Sequence, residues 1–542
     1  MAVDYRKNID SFIKKIADEV EFYPEKYNIK INRILSSQQK KELNNLISSY
    51  TAKIAYNPTD ASVYYNRGLV YHKKTDYKNA LNDFTKAIEL DKNFTFAFIA
   101  RGETYVFLKE FELSEQDFSQ AIKLNPQNPS VYTTLGNIRV FQNLFNEAIE
   151  YFDKAIELND CIESAFYGRA LAHRSLSQYQ KAIKDFTKAI ELNPKDSYAF
   201  CDRGITYANM EMLDEAINDF ETALNLKSED VFFLNNKGIA HRRKLEEEEA
   251  EKCFKQAIEK MPEDSYAYYN LGNLHREQGL DDKALKFYSE AIDLDYTFGP
   301  AYISKAIIFI AQKKIQKAYE EILQAIEFMD ESFISFAFLA YINFINEDYQ
   351  NAILNFKKSI ELDKNKNPEL LYCCGLCYFL TKDYLAAEKY FSKAINLSYD
   401  ASELLLAYAL SLFELKKYDE SIKYFSEIIK KDSPLTEAYY WRGIAYINIR
   451  NYGNASDDFK KAIDCKYMLK ESYYYLGVCY MYLPEYNMSL ECFDKAVSLE
   501  YSDISIFKNR AFVLDKLGFE DKALEDLDKV LEQQKKILNL IL

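Results

Sequence analysis

Residues 64–90 read YYNRGLVYHKKTDYKNALNDFTKAIEL, and the same pattern returns as CDRGITYANMEMLDEAINDFETALNL from Cys201 and as YWRGIAYINIRNYGNASDDFKKAIDC from Tyr440. The period is 34 residues. Frames beginning at 61, 95, 129, 163, 197, 231, 265, 299 and 333, then at 368, 402, 436, 470 and 504, divide the chain into fourteen copies. A single one-residue insertion falls near Asn367 and Pro368. Within a copy, apolar residues at helical spacing form two segments, Tyr64 to Lys74 and Tyr77 to Leu90, around a short polar turn. Each copy is therefore predicted to be a helical hairpin. Pro126, Pro194, Pro262, Pro368 and Pro434 fall at the copy boundaries, where the ring stops one helix and suits the first turn of the next.

Position 8 of the copy is Gly or Ala throughout, from Gly68 to Ala511, and position 20 is Ala or Ser from Ala80 to Ala523. Position 27 is small in all but two copies, which carry Ile428 and Val530. Small residues recurring on facing helices let two backbones approach closely. The pattern resembles the tetratricopeptide repeat: Tyr268, Leu271 and Gly272 match its first helix (A), and Ala284, Tyr288 and Ala291 its second (B). Several copies depart from it, with Arg139, His173, His241, His275, Phe309, Asn343, Leu412 or Leu514 in the helix A tyrosine column. The resemblance implies an all-α, right-handed superhelical α-solenoid whose concave groove is lined by helix A. One hairpin cannot bury its apolar faces alone, so stacked neighbours must supply the stability.

The expected organisation is a helical N-terminal cap over 1–60, repeats 1 to 9 over 61–367 and repeats 10 to 14 over 368–542. KELNNLISSYTAKIAYNP, residues 41–58, reads as a lone helix B that covers the first hairpin. At the other end KKILNLIL, residues 535–542, is apolar where a solvating helix should be polar. Two roles are open for it: folding over the terminal repeat, or self-association or membrane contact.

Composition bounds the function. The 84 acidic and 69 basic residues give a net charge of −15, which lacks the positive field that collects nucleic-acid phosphates. The first sixty residues carry +2 and the remainder −17. No run approaches the ~18 apolar residues of a membrane span, and the amino terminus lacks a signal-peptide core, so a cytoplasmic protein is expected. Nine Cys without disulfide-like spacing read as thiols.

Six copies carry Arg at position 7 and Asp at position 23, and the two occur together: Arg67 with Asp83, Arg101 with Asp117, Arg169 with Asp185, Arg203 with Asp219, Arg442 with Asp458 and Arg510 with Asp526. Helices A and B of one hairpin can oppose them as bidentate pairs, which marks these arginines as structural. Lys305 with Glu321 is a variant. The CxxC within Cys373, Cys374 and Cys377 has no second pair to complete a tetrahedral metal site. Phosphate-loop and dinucleotide motifs are missing, and the repeats leave no residues for a catalytic domain. No enzyme activity, metal or cofactor is expected.

In the tetratricopeptide geometry, helix A positions 2, 5, 9, 12 and 13 face the groove. Positions 12 and 13 contribute Arg174, Arg242, Arg243 and Arg276, a candidate basic patch for an acidic stretch of ligand. In the later copies position 12 carries Phe344, Phe379 and Phe413, and position 5 carries Tyr372, Tyr440 and Tyr474, a candidate aromatic stripe for an apolar stretch. Glu369, Glu403, Glu437 and Glu471 recur at position 2, where a carboxylate complements the helix dipole. A chaperone-type carboxylate clamp is not supported, since position 5 offers only Lys508, followed by Phe512 where Asn is needed. The expected function is a non-catalytic scaffold holding partner peptides or helices in the groove. The alternative is a targeting subunit that brings substrates to a separate enzyme.

Overall fold

The computed structural model describes residues 37–541 apart from 229, 330–331, 365, 400, 432–434 and 502. Among the described residues there are only helices: a leading helix, Ser37–Tyr56, followed by fourteen antiparallel pairs from Ala61–Lys73 with Tyr77–Leu90 to Ser505–Lys516 with Glu520–Ile541. The predicted hairpins are thus present in every copy. The chain divides into two compact units at Ala301 and Tyr302, inside helix A of repeat 8 (Gly299–Ala311). Within each unit helix A packs on its own helix B, and each helix B packs on the helix A that follows.

Few glycines are needed because the A-to-B turn is closed by backbone bonds. In repeat 1 the N–H of Thr75 donates to His72 O at 2.9 Å and that of Asp76 to Tyr71 O at 2.9 Å, with Thr75 at φ 66°. This is a Schellman closure. Repeat 6 repeats it with Leu245 at φ 63°. Gly279 and Gly518 take the same place in repeats 7 and 14. The B-to-A turns rely on side-chain caps instead: Asp60, Asn128, Asp196 and Asp230 each accept from the N–H two residues on. Asn367 caps helix A of repeat 10 (Pro368–Leu380) from Glu369 N–H and Leu370 N–H. The Asp363 carboxylate accepts from Lys366 N–H and Asn367 N–H, so the inserted residue is absorbed in a capped loop.

The small column at position 8 faces position 24, which is aromatic in all copies but two, where it is Ile322 and Leu527. A Cβ on Gly68 would stand 2.6 Å from Phe84, and one on Gly238 2.5 Å from Phe254. Ala170, Ala340 and Ala409 oppose Phe186, Phe356 and Phe425 in other copies, so the ring can be reseated to admit a methyl group.

All six expected Arg–Asp pairs form, each as two parallel bonds. Arg203 donates from Nε to Asp219 Oδ2 and from Nη2 to Oδ1, both at 2.8 Å. The other five pairs lie within 2.6–2.8 Å. A third bond was not foreseen. Nη1 of each arginine reaches position 25 of the preceding helix B: Arg101 to Thr85, Arg169 to Asp153, Arg203 to Thr187, Arg442 to Ser426 and Arg510 to Asp494. Each guanidinium therefore joins three helices. Arg67 makes the same bond to Thr51 at 3.0 Å, which puts Ser37–Tyr56 in the place of a helix B ahead of repeat 1. Lys305 and Glu321 pair at 2.7 Å, as expected. The cap is described from Ser37 onward, and its earlier residues lie outside the described part. The KKILNLIL tail continues helix B of repeat 14 to Ile541, but its side chains beyond Lys535 also lie outside the described residues.

Candidate functional site

The arginines expected to form a basic patch are engaged within the protein. Arg174 Nη1 donates to Asp202 Oδ1 at 2.7 Å, and the same carboxylate accepts from Tyr167 Oη at 2.5 Å. Arg242 is buried, with Glu277 at 3.3 Å, and Arg243 Nη2 donates to Glu211 at 2.6 Å. Arg276 is half-buried on helix A of repeat 7 (Ser265–Glu277). Carboxylates of adjacent copies offset Arg174, Arg242 and Arg243, so these positions do not present a row of bare positive charge.

The expected aromatic stripe is mostly hairpin core. Phe344 is 2% exposed and Phe379 4%, each edge-on to the first tyrosine of its own helix B, Tyr349 at 5.7 Å and Tyr384 at 5.5 Å between centroids. Tyr372, Tyr440 and Tyr474 are buried against Phe391, Phe459 and Phe493 of the position 24 column. Phe413 is half-buried between Tyr418 and Trp441. The burial has a simple cause. Position 12 lies over the first turn of helix B and position 5 over the position 24 ring, so aromatic side chains there are consumed by the hairpin before a ligand arrives.

A run of aromatics in mutual contact, two of them exposed, crosses repeats 1 to 3. Tyr77 stacks on Phe107 at 5.6 Å, and Phe107 meets Phe141 at 5.3 Å. Phe107 and Phe141 are 46% and 60% exposed. Both occupy position 13, at the last turn of helix A in repeats 2 (Thr95–Phe107) and 3 (Pro129–Phe141). Leu108, Phe111 and Leu144 extend the exposed apolar surface along the adjacent turns. One helical turn deeper, position 9 carries Leu69, Glu103 and Asn137. Glu103 lies on the same face as Phe107, four residues away. Burial pushes its carboxyl up to about 7. The sequence held the signal, two successive Phe at position 13 where nearby copies carry Lys73, Ser175 and Asn209. It was obscured by the longer aromatic runs at positions 5 and 12.

The tetratricopeptide repeat profile matches residues 61–94, 97–128, 129–160, 164–196, 186–218, 265–295, 406–466 and 470–503, together more than half of the chain. The chain belongs to the tetratricopeptide repeat family. Residues 345–428 of this tetratricopeptide repeat chain also match the profile of anaphase-promoting complex, cyclosome, subunit 3. No curated protein sequence matches. Similar solved structures include a tetratricopeptide repeat protein from Parabacteroides merdae ATCC 43184, at 20% identity over 46% of this chain and 98% of that one, TM-score 0.42. The APC/C hetero-tetramer Cut9-Hcn1 matches at 14% identity over 85% and 94% of the two chains, TM-score 0.35. YrrB, a TPR protein with an unusual peptide-binding site, matches at 24% identity over 35% and 98%, TM-score 0.27.

The chemistry-bearing side chains of this tetratricopeptide repeat protein are held in its hairpins. Cys373, Cys374 and Cys377 are buried, and burial raises all three thiols, Cys374 to about 12, so the reactive thiolate is disfavoured. His173, His241 and His275 fill the tyrosine column and bond Gln178, Glu246 and Gln278 of the A-to-B turns. Among the described residues no group of three or more His, Cys, Asp or Glu is placed to hold a metal ion, and no helix is long and apolar enough to cross a membrane.

Proposed function

We propose that this tetratricopeptide repeat protein is a non-catalytic cytoplasmic scaffold that binds segments of other proteins on the helix A face of its repeats. The observation that carries it is the exposed pair Phe107 and Phe141, in ring contact across adjacent copies, while the rings at position 24 are buried in the hairpins. Large rings left in water at adjacent copies cost solubility without adding to the fold, and such surface marks an interaction site. A targeting subunit that recruits substrates to a separate enzyme would use the same surface and differs only in what is bound. A photo-crosslinking residue placed at position 141 should join one discrete protein in native lysate. Placed at Lys86, on the exposed face of helix B, it should not. Equal or absent crosslinking at the two positions would refute the assignment.

Self-association has separate support. Leu524, Leu527 and Leu531 are exposed on the last helix B, on one face by their spacing. A dimer through this face would become a monomer in Leu524→Lys with Leu531→Lys, read by light scattering. A monomeric wild type would exclude it.

A further inference from the structure

The surface of repeats 1 to 3 has two rows, one turn apart on the same helices. The outer row is Lys73, Phe107 and Phe141 at position 13, and the inner row is Leu69, Glu103 and Asn137 at position 9. The outer row is apolar in its two later members and exposed. The inner row holds a partly buried carboxylate. Burial is the sole cause of its displaced titration, and among the described residues no Lys, Arg or His stands within ion-pair distance of it. The buried charge on the next helix A is paired: Arg139, on the same helix as Asn137, is held by Glu115 and by Glu147 at 3.0 Å. An unpaired carboxylate kept from water beside an exposed ring loses hydration that a ligand cation would replace. The flanking Glu110 and Glu112 add exposed negative charge beyond the rings.

We propose that this surface receives a basic, apolar segment of a partner protein, with a Lys or Arg on Glu103 and an apolar side chain against Phe107 and Phe141. The assignment deepens the scaffold function and rests on it. Adjacent helices A stand about 8–10 Å apart, so three copies match roughly 20 Å of ligand, about thirteen residues if helical. Because Glu103 and Phe107 are one turn apart, a helical ligand meets both when its cation lies three or four residues from its apolar anchor. Asn137 supplies an amide beside the carboxylate that can bond the ligand's backbone or a second polar group.

The test is selection of a random dodecapeptide display library on the full chain. Enriched sequences should carry Lys or Arg three or four residues from Phe, Leu, Met or Trp. Binding of the selected peptides should fall at least about tenfold in Glu103→Gln and in Phe107→Ser with Phe141→Ser, while Glu103→Asp retains part of it. Circular dichroism confirms that each variant is folded. Peptides that bind but ignore these substitutions, or that are acidic, overturn the surface and leave the scaffold function standing on another face. Absence of any enriched peptide overturns both.

Discussion

Replacing Arg203 by Leu removes a charge from a site where its partner has nowhere to go. Asp219 is 2% exposed and accepts both of its close bonds from Arg203, at 2.8 Å. The guanidinium also bonds Thr187 of the preceding helix B at 3.1 Å, so the substitution loosens two copies. Breaking a buried pair from one side costs about 3–5 kcal/mol, because the remaining carboxylate is desolvated without compensation. The chain itself shows the remedy: repeat 13 has Leu476 and Cys492, both buried, at the same two positions. Arg203→Leu with Asp219→Cys should therefore return to within about 1 kcal/mol of wild type, and the two changes should be coupled by at least about 2 kcal/mol. A repeat array need not unfold in one step, so the readout is amide exchange in Ser197–Asn209 and Leu213–Leu226 by mass spectrometry. The single variant should speed exchange there by roughly two to four orders of magnitude, and the pair should restore it. A change under about tenfold in the single variant, or a double variant no slower than the single, would refute the assignment of Asp219 as a buried charge dependent on Arg203.

Three further outcomes follow from the same structure. The Glu103 carboxyl is held above its ordinary 4.5, up to about 7, so the folded state binds the proton more tightly and loses stability as pH rises through that interval. Glu103→Gln should leave the melting temperature unchanged below about pH 4.5, raise it increasingly from there to about pH 7, and hold a constant advantage above that; a difference independent of pH contradicts this. Leu245, 82% exposed at φ 63°, pays for a left-handed turn, and Leu245→Gly should stabilise repeat 6 by up to about 1 kcal/mol in urea titrations. A loss of more than about 1 kcal/mol would show that the side chain supports the turn. Phe141→Ser should cost less than about 1 kcal/mol of stability despite removing a large ring, since most of that ring is already in water. A larger loss on thermal melting would make the ring part of the hairpin core rather than a free surface.

The hairpins and their internal ion pairs were readable from the amino-acid sequence because repetition supplies its own control. Arg at position 7 and Asp at position 23 appear together in six copies, and a pair that is gained and lost as a unit points to contact between helices A and B. The third bond, from Arg101 to Thr85 and its equivalents, was hidden because position 25 varies between Thr, Ser and Asp, all of which accept from a guanidinium. The candidate site was read less well. The tetratricopeptide resemblance implied that Phe344, Phe379 and Tyr440 lie on the groove face, but the spacing of residues on one helix contains no information about which of them the second helix covers. The partners of Arg174, Arg242 and Arg243 were hidden for a related reason: their carboxylates, Asp202, Glu277 and Glu211, belong to other copies and occupy no fixed column relative to them. Phe107 and Phe141 stand out only once the rings at positions 5 and 12 are known to be buried.

The account stands on where a protein ligand lands. Hydrogen exchange of the full chain, with and without a saturating peptide chosen by display, reads every helix in one measurement. Protection confined to Thr95–Phe107 and Pro129–Phe141, with the flanking turns at Leu108 and Leu144, is the predicted result. Protection centred instead on Phe333–Ile345 and Pro368–Leu380, with those two helices unchanged, would contradict it.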